Sequence, residues 1–248
     1  MRWFALLVLF ACVSHGARCA HDLSHIVESV GVDPQRSALR IVRLEDAEEW
    51  TSGQRCIYHT YSPGCTRNIP YTLAALEEGV VAERSFQWDG EKRWKEDWNQ
   101  DQTLRSAFHR SAVWVYEQIV ASIGEERLCR QLRQMGYGNT STGASLADLE
   151  VSAHGQVEFL KQVVSRALAL SEETYLQSRC VFCERSSEQL ALFGKTGWTQ
   201  GVGWYVGWVE AGEETFIFAF NMELREIERA PLRKTVIFAC LKELGLDL

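Results

Sequence analysis

The stretch "YSPGCTRNIPYTLAALEEGVV", Tyr61 to Val81, has a turn-then-helix form that suits a nucleophile: a small reactive side chain at a helix start, Cys65, and a polar residue three positions on, Asn68. Positions i and i+3 share one helix face, and the free backbone N–H groups of a helix N-terminus can receive developing negative charge. A thiol is the side chain that least needs a neighbouring base, being a few per cent thiolate near pH 7. Asn68, by contrast, carries an amide with no basic lone pair. Other short strings can supply chemistry: "SAV" from Ser111 to Val113, "YGN" from Tyr137 to Asn139, "KTGW" from Lys195 to Trp198, and Arg233 in "PLRK". Singly each is weak, since any one of them reads equally well as turn or surface chemistry. His59 and His109 are the nearest histidines in sequence, and neither falls within a motif. Cys65 also has a plain structural reading, because free cysteine often fills a small buried site.

The elements that must position these groups follow from periodicity. "ALRIVRL" has the apolar density of a strand, and a helix is expected after Ile69, with Leu73, Leu76 and Val80 at helical spacing and Gly79 near its end. "SAVWVYEQIVASIG" and "EERLCRQLRQMG" read as helices stopped at glycine, and "GQVEFLKQVVSRALAL" as a third. "GVGWYVGWVE" and "ETFIFAFNM" are aromatic and β-branched runs around "AGEE", a β-hairpin pattern. "PLRKTVIFACLKELGL" opens with Pro231 and is helical in spacing. Together they predict an α/β or α+β sandwich with a helical subdomain.

A charged fraction of 24% against 46% hydrophobic residues, with 4 Pro in 248, argues for a folded chain with a substantial core. The net charge of −7 disfavours nucleic-acid binding, which needs a basic footprint. "MRWFALLVLFACVSHGARCA" pairs Arg2 with an apolar run too short to span a bilayer, so residues 1–20 are expected to be a secretory signal peptide and 21–248 a single domain. The rival expectation is a lipid anchor on Cys12, with Phe10 bulky for that role. No later stretch is long and apolar enough to cross a membrane. Six cysteines follow the leader: Cys56, Cys65, Cys129, Cys180, Cys183 and Cys240. Cys180 and Cys183 form a CxxC, but a zinc site would need further ligands in register and a redox motif a thioredoxin-like βαβ setting.

In order and spacing, "SPGCTRNIPYTLAALEEGVV", "WDGEKRWKEDWNQDQTLRSAFHRSAVWVYEQIV", "YGN", "QVEFL", "GKTG", "WYVGWVE", "FAFNM" and "PLRK" resemble the class D β-lactamases, the oxacillinase family. The resemblance covers nearly all of the chain after the leader. It implies a β-lactamase and penicillin-binding transpeptidase-like fold, an antiparallel sheet flanked by terminal helices plus a helical subdomain. It also implies acyl transfer from a serine in S-x-x-K, whose carbamylated lysine is the general base, with no metal or other cofactor. Carried over, Ser111 would relay protons and Val113 shield the base. Tyr137, Gly138 and Asn139 match the third motif and would join the ligand site. Lys195, Thr196 and Gly197 match the strand motif, Trp198 would give the second oxyanion N–H, and Arg233 would hold a carboxylate, a task suited to guanidinium. The departures fall on the chemistry. Cys65 stands for the serine, Asn68 for the carbamylated lysine, Arg67 for a usually aromatic residue and Ala144 for a tryptophan that steadies the base.

The expected ligand is therefore a β-lactam or a peptidoglycan-derived acyl compound, met by an exported, periplasmic or secreted protein acting as monomer or dimer. Two readings of the site follow. In one, it binds such ligands with hydrolysis lost or strongly impaired. In the other, Cys65 works as a thiol nucleophile, as an acyl trap or an active β-lactam hydrolase.

Overall fold

The structure, a computed structural model, describes residues 20–53, 57–81, 85–199 and 201–247. The expected leader apart from Ala20, Cys12 and Cys56 thus lie outside the described residues. The chain opens with β1 (His21–Asp22), α1 (Ser24–Ser29), β2 (Ser37–Arg43), β3 (Glu49–Ser52) and β4 (Thr60–Tyr61). A 3₁₀ turn, Gly64–Arg67, runs directly into α2 (Asn68–Glu77). Then come β5 (Ser85–Phe86), β6 (Gln102–Thr103), α3 (Leu104–Arg110), α4 (Val113–Ile123) and α5 (Glu125–Gln134). β7 (Val151–Ser152), α6 (Ala153–Val164) and α7 (Glu172–Phe182) follow. Last are β8 (Cys183–Ser186), β9 (Leu190–Thr199), β10 (Val202–Ala211), β11 (Glu214–Glu223) and α8 (Leu232–Glu243).

One seven-stranded sheet, in the order β1-β3-β2-β11-β10-β9-β8, divides the molecule. Its central strands β10 and β11 are buried along nearly their whole length. Such strands read as continuous apolar runs because both faces are covered. On one face α1 and α8 enclose Leu39, Ile41, Tyr205, Phe218, Phe220, Val236 and Ile237. On the other, α6 and the helical block α2 to α5 bury Leu73, Phe108, Trp114, Tyr137, Phe159 and Trp204. The hairpin between β10 and β11 closes with Ala211 opposite Glu214, and Gly212 takes the positive φ of 62° that the two-residue loop requires.

One expectation is refined and one corrected. The sheet is antiparallel except at one edge, where the two-residue β1 pairs parallel to β3, because α1 and β2 carry the chain across before β3 comes in between β2 and β1. The helix read over "GQVEFLKQVVSRALAL" stops at Val164, where the Ser165 hydroxyl donates to the Lys161 carbonyl at 2.6 Å and Arg166 turns left-handed at φ 54°. Among the described residues no helix is long and apolar enough to cross a membrane.

A buried charge cluster joins the sheet to α6. Arg40, 7% exposed, donates to Glu49 at 3.0 Å and to Glu158 at 2.7 Å. Removing one partner of a buried pair leaves the other charges uncompensated; with both carboxylates partly exposed, Arg40→Ala is expected to cost about 2–3 kcal/mol in urea unfolding. An unchanged midpoint would show that solvent already screens both glutamates.

Candidate functional site

Cys65 lies in the 3₁₀ turn, half-buried, with α2 leading away from it. The turn is pinned from three sides. The Thr66 hydroxyl donates to the Pro63 carbonyl at 2.8 Å and accepts from the buried Gln156 amide at 2.8 Å. The Trp204 indole donates to the Ser62 carbonyl at 3.0 Å. Gly197 lets β9 lie flush against the turn: a Cβ there would come within 2.7 Å of the Pro63 carbonyl oxygen and 3.0 Å of the Thr66 methyl. A Cβ on Gly64 would in turn be 3.1 Å from the Trp198 amide nitrogen. The Trp198 N–H is thereby brought beside the Cys65 turn, where a second donor to a developing oxyanion belongs. The Trp198 side chain is tied off to the Leu224 carbonyl at 3.1 Å.

Ser111 ends α3 in the left-handed conformation, φ 56° and ψ 44°. Non-glycine residues hold this strained backbone mainly where surrounding structure enforces it, often at functional sites. Here it reverses the chain between α3 and α4 and presents the Ser111 hydroxyl to Lys195, whose ammonium donates to it at 2.5 Å. Lys195 also donates to the Thr196 carbonyl at 2.9 Å, and its side chain is 2% exposed. Burial pulls its pKa down to about 8, partly offset by attraction to Cys65 and Glu184. Near neutral pH this lysine is a cation that can surrender its proton readily. Arg233 sits at the same rim, donating to the Ala230 carbonyl at 2.8 Å and the Gly197 carbonyl at 2.6 Å. Its pKa is also lowered by burial, and Cys65 is close enough to act against that shift. One guanidinium nitrogen, Nη2, remains for a ligand carboxylate.

Asn68 is 4% exposed and lines a cavity of about 470 Å³ with Cys65, Arg67, Tyr71, Val113, Tyr116 and Leu146. A base expected at position 68 would point into this space. The neighbouring hydroxyls do not replace it: burial pushes the Tyr116 phenol well above its ordinary range, and its hydroxyl is shared with Thr72 at 2.8 Å. Arg67 lies over the Tyr71 ring at 5.8 Å and borders the same cavity. Val113, 37% exposed, walls it as expected.

The remaining expected residues divide. Thr196 lies on β9 beside Lys195, half-buried. Tyr137 and Asn139, expected at the ligand, are not among the residues that line the Cys65 cavity. Tyr137 is fully buried against Phe159, its hydroxyl 3.5 Å from Gln156, so it supports the Gln156–Thr66 prop under the nucleophile turn. Asn139 donates to the Asp148 carbonyl at 2.9 Å and accepts from the Glu150 amide at 2.9 Å, closing the loop between them. That loop brings Leu146 and Ala147 to the cavity, in place of Ala144. His59 is exposed in the turn before β4. Cys180 and Cys183, at the end of α7, are free thiols. Gln156 and Thr66 were not picked out from sequence; the one available signal was a glutamine interrupting the apolar face of "GQVEFL".

Comparison with known proteins agrees with this geometry. The model of the penicillin-binding protein transpeptidase domain matches residues 33–235. β-Lactamase OXA-19 of Pseudomonas aeruginosa is 31% identical, with 95% of each chain covered, and OXA-10 of the same organism 30% identical with 99% of each covered. The crystal structure of the class D β-lactamase YbXI from Nostoc superposes with a TM-score of 0.84 at 29% identity, covering 90% of this chain and 98% of that one. FUS-1 (OXA-85) from Fusobacterium nucleatum subsp. polymorphum gives 0.82 at 25% identity, covering 89% and 96%. With the domain model matched over most of its length and relatives of this identity aligned almost end to end, the chain belongs to the class D β-lactamase (OXA-type) family.

Proposed function

We propose that this protein is an exported β-lactam-recognising member of its family that binds β-lactams or peptidoglycan-like acyl ligands with hydrolysis lost or strongly impaired. The observation that carries the reading is Asn68, buried three residues from Cys65 in the lining of the cavity where a base would act. Hydrolysis of an acyl intermediate needs an activated water, and loss of a positioned base forfeits ~10²–10⁴-fold. The recognition parts remain together: Lys195, Ser111, the Trp198 amide and Arg233 surround Cys65.

A second reading, acyl capture by Cys65, is favoured by the half-exposed thiol facing a buried cation. The thiolate would attack the lactam carbonyl and the C–N bond would break. The departing nitrogen would take a proton from Lys195 through Ser111, leaving a thioester on Cys65. Intact-mass spectrometry after incubation with benzylpenicillin, beside a nitrocefin assay, separates the readings. No adduct with saturable binding supports the first, and a stable adduct mapped to Cys65 supports the second. Rapid turnover without an adduct would sink the proposal of lost hydrolysis.

A further inference from the structure

A second cavity, about 330 Å³, opens at the edge of β9 behind the nucleophile site, lined by Arg105, His109, Glu184, Gly194, Lys195, Thr196 and Lys234. It exists because β8 stops pairing early: its register with β9 runs only as far as Cys183 opposite Phe193, leaving Gly194 to Thr196 without a β8 neighbour. Four elements, α3, β8, β9 and α8, therefore meet around the gap.

The wall is strongly cationic. Arg105, Lys195 and Lys234 face one carboxylate, Glu184, and that carboxylate is already engaged, accepting from Lys234 at 2.7 Å and from the Tyr205 hydroxyl at 3.2 Å. Arg105 donates through Nε and Nη2 to the Cys180 and Cys183 carbonyls at 3.0 and 2.8 Å, which fixes its plane and leaves Nη1 unspent. His109 bonds the Val181 backbone, while its Nε2 is buried with no hydrogen-bond partner. A buried polar atom left unpaired costs about 1–3 kcal/mol and calls for a partner.

We propose that this cavity is a binding site for a tetrahedral oxyanion, a sulfate or phosphate group, held by Arg105, Lys234 and protonated His109. The volume and the donors converging from separate elements suit an acceptor with several oxygens. Site and proposal stand whether or not Cys65 is acylated. They link to it through Lys195, which belongs to both: an anion here would favour the protonated lysine, and by reciprocity the lysine's charge state sets anion affinity.

Binding should strengthen as pH falls. His109 has its pKa held below the usual histidine range by burial and by the charges of Arg105 and Lys195, with Glu184 opposing; Lys234, paired to that carboxylate, completes the charged groups around the cavity. An entering anion reverses the balance, so His109 takes up a proton as it binds.

Sulfate is the suitable probe because its charge is constant across this range. Isothermal titration of the full chain with sodium sulfate, at constant ionic strength, should show one site about tenfold tighter at pH 5.5 than at pH 8, roughly 1.4 kcal/mol. Lys234→Met and the exposed Arg105→Gln should each weaken it about tenfold. His109→Asn should flatten the pH dependence, and Arg233→Gln should leave this binding intact. Glycerol phosphate binding much more tightly than sulfate would identify an esterified phosphate as the occupant; equal affinity would identify the free anion. The absence of saturable sulfate binding at both pH values, or its loss in Arg233→Gln alone, overturns the proposal.

Discussion

Cys65→Ser combined with Asn68→Lys is expected to raise nitrocefin turnover by ~10²–10⁴-fold in bicarbonate buffer, the contribution of a positioned general base. The scaffold for such a base is intact. Position 68 is buried at the start of α2, one face from the nucleophile, and borders a cavity of about 470 Å³ walled by Val113, Tyr116 and Leu146. A lysine chain can enter that space without displacing the core, and burial would favour its neutral amine, the form that combines with carbon dioxide as the family resemblance implies. Cys65→Ser alone should be silent, because an alcohol lacks the thiol's intrinsic nucleophilicity and has no base to activate it. A folded double variant that stays silent would place the block in Arg67 or in the loop that brings Leu146 and Ala147 to the cavity.

Lys195→Met should separate stability from chemistry. Lys195 titrates at about 8 in the fold against 10.5 for an unperturbed lysine. The unfolded chain therefore holds the proton more tightly, so folding stability is lowest below pH 8 and rises between pH 8 and 10.5. Methionine fills a similar shape without the charge. At pH 7 the variant should be more stable by up to about 3 kcal/mol, the free energy equivalent of that shift, less the lost bonds to Ser111 and the Thr196 carbonyl. The advantage should vanish toward pH 10.5. Urea unfolding of both proteins at pH 7, 9 and 10.5 reads this difference directly. Any acylation of Cys65 by penicillin should slow by at least ~10²-fold, because the proton donor to the departing nitrogen is gone. A variant less stable than the parent at pH 7 would mean that the two hydrogen bonds outweigh desolvation.

Local patterns carried much of this molecule. The alternation from "GVGWYVGWVE" to "ETFIFAFNM" is a hairpin because two apolar runs flank a turn at Gly212, and that arrangement is short-range. The pairing of Cys65 with position 68 is equally local, since residues three positions apart at a helix start share a face whatever surrounds them. That position 68 carries an amide and no basic side chain was therefore legible at once. The role of "YGN" was not: the motif's string is the same whether Tyr137 meets a ligand or, as here, is sealed beneath Gln156.

Sequence by itself determined the family, the long strands β2, β10 and β11 with helices α2, α4, α5, α6 and α8, and the amide at position 68, because each is written in residue types at short spacing. Only the tertiary structure decided the charge state available to Lys195, the prop that Gln156 and Thr66 form under the nucleophile turn, and the cationic cavity beyond β8. These depend on desolvation and on contacts between segments as distant as Thr66 and Gln156, or Arg105 and Cys183, and no local pattern encodes how much water such packing removes.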